Sequence, residues 1–199
     1  MFNSGFLESD LTNISYIESS KEQKVEFPDK YSIVEQLDTP HDQGYRGICV
    51  SVCVTDICKH IYQGQGKVWD QDLDFFYNSR SDKSLDGMSP REALEIACNQ
   101  GFIKSLAFPK NVLDVQKCIF ANGPVMVGLP VYSTERPDFW NDYYGTLDLL
   151  GYHAVTLVGY DTSGFTLRNS WGTGYGHKGY SVLHYTAFGR ITEAWTVFC

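Results

Sequence analysis

Four side chains have the types that acyl transfer by sulfur requires: Cys49, His153, Asn169 and Gln43. Such chemistry needs a thiolate, a base beside it, a group that orients the base, and donors for the oxyanion. Cys49 follows a loop marked by Gly44 and Gly47 and precedes apolar residues at Val50, Val54, Ile57 and Ile61. Those spacings predict a helix with one inward face, so Cys49 falls in its first turn. The positive end of the helix dipole favours a thiolate there, a field that the deeper Cys53 and Cys58 lack. Taken alone, a helical cysteine also has a structural reading as a small core residue. His153 opens the apolar strand YHAVTLVGY, where an imidazole needs a partner; a lone strand histidine is equally a satisfied core or edge residue. Asn169 ends the strand across the turn Asp161–Gly164, so a hairpin brings it near His153, although simple pairing about that turn does not set the two directly opposite. An amide oxygen there would orient the imidazole, and Trp171 would cover that contact from water. Gln43, six residues before Cys49, offers an amide N–H to join the Cys49 backbone N–H in an oxyanion hole.

The elements that must position these groups are legible in outline. Ser89, Pro90 and Glu92 read as N-cap, first helical position and capping-box partner, with Leu94, Ala97 and Cys98 inward and Gly101 as the stop. A further helix is predicted from Val112 to Phe120, capped by Asn111 and ended by Gly123. After Pro124 the character changes. PVMVGLPVY, YHAVTLVGY, GFTLRNSW, YSVLHYT and ITEAWTVF are short, β-branched and aromatic, and read as strands. Helices followed by strands, without βαβ alternation, imply an α+β fold. The expected architecture is a catalytic domain over residues 25–199, with a helical lobe at about 30–108, a β lobe at about 109–199 and a cleft between them. Residues 1–24 are polar, with a weak apolar stripe of Phe6, Leu7, Leu11, Ile14 and Ile17. They read as an N-terminal arm, or as a short inhibitory or docking segment.

The composition narrows the function classes. The 199 residues are 43% apolar, 15% aromatic and 20% charged, which is ordinary for a globular chain and excludes a wholly disordered or fibrous one. The 16 Lys and Arg against 24 Asp and Glu give a net charge of −8 with no basic run, so nucleic acid is not an expected partner. No apolar stretch approaches the roughly 20 residues of a membrane span. MFNSGFLESD lacks a basic start and an unbroken apolar segment, so no secretory signal is expected. The six cysteines form no CxxC pair and show no zinc spacing. They read as buried thiols in a cytoplasmic or other reducing compartment, or in a chain exported without a visible signal. No metal and no cofactor is expected.

At the four reactive positions the chain resembles the papain-like cysteine peptidases. DQGYRGIC is similar to that family's glutamine–glycine loop leading to the nucleophile, GYHAVTLVGYD to its histidine strand, and LRNSWGTGYGHKGY to its Asn-Ser-Trp-Gly segment. DGMSPREALE resembles the glycine-plus-helix segment, which implies that Gly87 lies along the substrate wall. The resemblance covers roughly residues 35–186. It implies a two-lobe papain-like fold and roles for Cys49, His153, Asn169 and Gln43 in catalysis. It also implies a shielding role for Trp171 and substrate contacts at Gly87, Met88, Pro90, Gly128 and Tyr152. The departures are specific. Arg46 stands where the family has a disulfide-bonded cysteine, and Val50 replaces the aromatic after the nucleophile. His153 follows Cys49 by 104 residues, against about 130–150 in papain and the cathepsins, which implies trimmed loops. On this reading the arm is too short for the family's long prosegment. The expected activity is hydrolysis of a protein or peptide substrate through a thiolate–imidazolium pair. Two alternatives share the scaffold: another acyl transfer (amidase, deamidase or transpeptidase), and an inactive binding module.

Overall fold

The computed structural model describes residues 5–9, 26–133, 139–141 and 148–198; Leu11, Ile14, Ile17 and Cys199 lie outside them. The predicted nucleophile helix is α1 (Cys49–Gly64), which buries Cys49, Val50, Cys53, Val54, Ile57 and Ile61 as the spacing requires. A short α2 (Phe75–Ser79) follows. In α3 (Pro90–Asn99) the Ser89 hydroxyl accepts the Glu92 N–H at 3.2 Å. The reciprocal half of the expected capping box is absent. The Glu92 carboxylate instead accepts the Ser81 N–H at 2.6 Å and the Ser81 hydroxyl at 2.7 Å, tying a loop to the helix. Helix α4 (Val112–Asn122) is capped by Asn111, whose Oδ1 accepts the Asp114 N–H at 2.9 Å.

The strands are β1 (Tyr31–Ser32), β2 (Ser105–Ala107), β3 (Val125–Tyr132), β4 (Leu149–Tyr160), β5 (Gly164–Arg168), β6 (Tyr180–His184) and β7 (Glu193–Phe198). They form one antiparallel sheet in the order β2-β7-β3-β4-β5-β6, with β1 paired to the end of β4. The fold is α+β, as expected. The short β1 and β2 were not foreseen, and they carry two segments of the expected helical lobe into the sheet. Alternation sorts the sheet's side chains into two cores. Met126, Ala154, Trp195 and Val197 pack with α1, α3 and Phe6. Val125, Val127, Leu129, Val155 and Leu157 pack with Val115, Cys118 and Ile119 of α4.

One irregularity in β4 matters for the site. Tyr160 pairs with Phe165 and Gly159 with Thr166, but Leu157 pairs with Leu167 and Thr156 with Arg168. Val158 is therefore an extra residue, a β-bulge. A one-residue slip exchanges the two faces of a strand. Continuing the shifted register sets Asn169 opposite Val155, two residues from His153 and on the same face. Without the bulge Asn169 would fall on the other face.

A buried ion network ties the elements from beneath. The Arg168 side chain, 1% exposed, donates to Asp56 of α1 from Nε at 2.8 Å and to Asp38 from Nη2 at 2.8 Å. Lys59 also binds Asp38, at 2.7 Å. Asp38, His41 and Asp56 bring ligand atoms within 4.8 Å of one another, but Arg168 and Lys59 already neutralise the two carboxylates.

Candidate active site

Cys49 is the first residue of α1, and no side chain caps that helix end. Its N-terminal N–H groups are therefore left for the site. The Cys49 Sγ accepts the Ala154 N–H at 3.5 Å, so the sulfur meets β4 immediately beside His153. His153 is fully buried and pairs with Leu129 of β3. Its Nε2 lies 2.8 Å from Asn169 Oδ1. The same Oδ1 accepts the Ser170 N–H at 2.8 Å, which identifies that atom as the amide oxygen. Nε2 is therefore the protonated nitrogen, and Nδ1, nearer the main chain, carries the lone pair. The Trp171 indole stacks on the imidazole at 4.6 Å and 23°. Trp140 extends the aromatic wall, lying 5.8 Å from Trp171 and nearly parallel to His153 at 6.4 Å, with its Nε1–H donated to the Pro130 carbonyl.

Gln43 is buried beside these groups. Its main-chain N–H donates to the Ser170 carbonyl at 2.9 Å, and its Oε1 accepts the Ser170 hydroxyl. Nε2 donates one hydrogen to the Arg46 carbonyl at 2.8 Å, leaving a second donor on the same nitrogen.

Residues 5–9 lie along the cleft. Gly5 C=O accepts the Met88 N–H at 2.9 Å, and Met88 C=O accepts the Leu7 N–H at 3.0 Å, which makes a parallel bridge. Phe6 is 3% exposed, packs 6.0 Å from the Tyr152 ring, and leaves no room for a Cβ on Gly128. Gly87, at φ +115°, backs directly onto Gly5. Gly87, Met88, Gly128 and Tyr152 thus converge on the arm. Pro90 is buried in the first turn of α3, and the arm's polar contacts go to its neighbours: Ser9 Oγ accepts the Arg91 N–H at 3.1 Å and lies 3.3 Å from Ser89 Oγ. Glu193 was missed in the sequence. It is buried, accepts the Ser9 N–H at 3.1 Å, and burial raises its pKa. A lone glutamate opening an apolar strand was its only signal.

Burial bears on the charge state. Burial pushes the Cys49 thiol up to about 12, while nearby main-chain N–H groups, those of Ala154 and Val50 and Gly5 among them, pull the other way more weakly. Burial draws His153 down to about 4, opposed by the Asn169 hydrogen bond. In the covered site burial thus works against both charges of the ion pair that the helix field alone predicts. Desolvation outweighs that field.

The profile of the papain family cysteine proteases matches residues 93–193. Cysteine proteinase 3 of Entamoeba histolytica is 27% identical over 186 residues, covering 74% of this chain and 59% of that protein. A gut-specific cysteine proteinase of Caenorhabditis elegans is 32% identical over 91 residues, covering 41% of this chain and 26% of its own. The chain thus spans about three fifths of the Entamoeba relative and a quarter of the nematode one. Among solved structures, xylellain, a cysteine protease from Xylella fastidiosa, superposes with a TM-score of 0.78 at 18% identity, over 99% of this chain and 96% of that one. Procathepsin B S9 of Trypanosoma congolense gives 0.79 at 13% identity, over 98% and 86%. These two likenesses concern the fold.

Proposed function

Because the chain belongs to the papain family of cysteine proteases, we propose that it is a peptidase that cuts peptide bonds through Cys49, His153 and Asn169. The observation that carries this reading is the meeting of the Cys49 sulfur with β4 at Ala154, beside an imidazole whose far nitrogen is held by Asn169. Once the cleft opens to water, His153 Nδ1 takes the thiol proton and the thiolate attacks the substrate carbonyl. The oxyanion receives the Cys49 main-chain N–H and the second hydrogen of Gln43 Nε2. The imidazolium then protonates the leaving amine, and a water deprotonated by His153 hydrolyses the thioester, releasing the acid and restoring the thiol.

Residues 5–9 act on this reading as a built-in inhibitor, since they fill the strand-pairing edge at Met88 and set the Gly5 N–H against the Cys49 sulfur. A peptide that replaces the arm places a side chain where Phe6 sits, so an aromatic or large apolar residue is the expected preference there. Cys49, Cys53, Cys98 and Cys118 are free thiols, which supports a reducing compartment. Among the described residues no helix is long and apolar enough to cross a membrane.

The test is a mass-spectrometric cleavage profile on a peptide library with the full chain, Phe6→Ala and Cys49→Ala. Phe6→Ala is expected to cleave faster than the full chain, and Cys49→Ala not at all. Cleavage that survives Cys49→Ala would remove Cys49 as nucleophile. Ammonia release without chain scission would favour deamidation.

A further inference from the structure

The loop that carries Gln43 is held on two sides. On the β-lobe side Gln43 is fixed by Ser170, through its main-chain N–H and its side-chain oxygen. On the helical side, among the described residues, the Gln43 hydrogen bonds run to Arg46. Three hydrogen bonds join Arg46 to Gln43: the Arg46 N–H and Nε–H both reach the Gln43 carbonyl at 3.3 Å, and the Gln43 amide returns to the Arg46 carbonyl at 2.8 Å. The guanidinium then reaches outward, and Nη1 donates to both carboxylate oxygens of Asp74, at 2.8 and 2.6 Å. Asp74 is the residue that precedes α2, whose first turn is pinned to α1 through the Ser51 hydroxyl, a donor to the Leu73 carbonyl and an acceptor for the Tyr77 N–H.

We propose that Arg46 is a positioning residue for the oxyanion site, clamping the Gln43 amide to the helical lobe through Asp74. The inference rests on the peptidase reading above. The clamp occupies the position where the resemblance implies a disulfide-bonded cysteine. Here the cross-link is made by charge and hydrogen bonds, so reductant leaves it intact. Guanidinium geometry suits the task, because one planar group serves the carbonyl and the carboxylate together, which a lysine ammonium does not.

The experiment compares two reagents on the full chain carrying Phe6→Ala. A peptide aldehyde forms a hemithioacetal on Cys49 whose oxygen needs the oxyanion donors; iodoacetamide alkylates the same sulfur without them. Adding Arg46→Ala is expected to weaken aldehyde binding about 5-fold and to leave the iodoacetamide rate at Cys49 unchanged. Asp74→Asn should act in the same direction, and the Arg46→Ala/Asp74→Asn pair should lose no more than Arg46→Ala alone. Arg46→Lys should recover part of the loss. Equal losses toward both reagents, or unchanged aldehyde binding with Arg46→Ala, would overturn the clamp alone. A Phe6→Ala parent that takes iodoacetamide at Cys49 yet never binds the aldehyde would overturn the peptidase reading and the clamp with it.

Discussion

Two arginines brace the candidate site, and they do so under opposite conditions. Arg168 is 1% exposed and joins α1, the segment before Gln43 and β5, the strand that ends just before Asn169. Arg46 is 52% exposed and joins the Gln43 loop to α2 at the rim. The same side chain therefore serves two purposes. In the interior its charge has lost its water and must be matched, so the network bears on whether the lobes hold together. At the rim water competes for every contact, so the clamp adds little stability and acts on geometry.

The sharpest way to break this contrast is unfolding. Asp56→Ala should cost about 3–5 kcal/mol, because it strands a buried guanidinium. Asp74→Ala should cost at most about 1 kcal/mol. Urea titration of both variants checks this, and equal losses would erase the distinction.

Acid gives the next largest effect. His153 is held neutral at a pKa of about 4 against an ordinary 6.5. Its folded value is lowered, so below pH 6.5 the unfolded chain binds a proton that the covered site refuses. Stability should fall by about 3 kcal/mol as pH drops from 6.5 to 4, and the melting temperature should follow. Asp38, whose pKa is lowered chiefly by its hydrogen bond from His41, acts in a separate window: its contribution is present above the ordinary 3.8 and is lost below it. Phe6→Ala should flatten the first window and leave the second in place. A melting profile with identical slopes in both proteins would refute the arm's control of His153.

Salt is the gentlest probe. Raising KCl from about 0.05 to about 0.5 M should weaken aldehyde binding by about 2-fold through Arg46–Asp74, and Arg46→Ala should abolish that sensitivity. The buried Arg168 network should show no comparable response.

Local signals made much of this readable. The 4-3-4 apolar spacing and the glycine loop placed Cys49 in the first turn of a helix, and the caps at Ser89 and Asn111 are where they were expected. What escaped was long-range. Strands β1 and β2, of two and three residues, exist only because neighbours in the sheet complete their hydrogen bonds. Glu92 abandons its capping-box partner for Ser81, a choice made by tertiary packing. How strongly burial opposes the helix field at Cys49 was not legible, because the field is local while the residues that enclose the sulfur, Ala154 among them, are distant in the chain. Phe6 looked like one residue of a faint stripe; its pocket is assembled from β3, β4 and the strand-like edge at Met88.

The surplus residue at Val158 has a last consequence. Sidedness along a strand is a matter of parity, and parity has two values with nothing between them. Excising that one valine would leave Leu157 opposite Leu167 and Thr156 opposite Arg168, so Asn169 would keep its side; forcing the valine into regular pairing with Leu167 is what would carry Asn169 behind the sheet, out of reach of the imidazole it must orient. The valine is therefore harmless only while it stays outside the ladder, and the bulge is the form in which the chain carries an extra residue without losing one hydrogen bond.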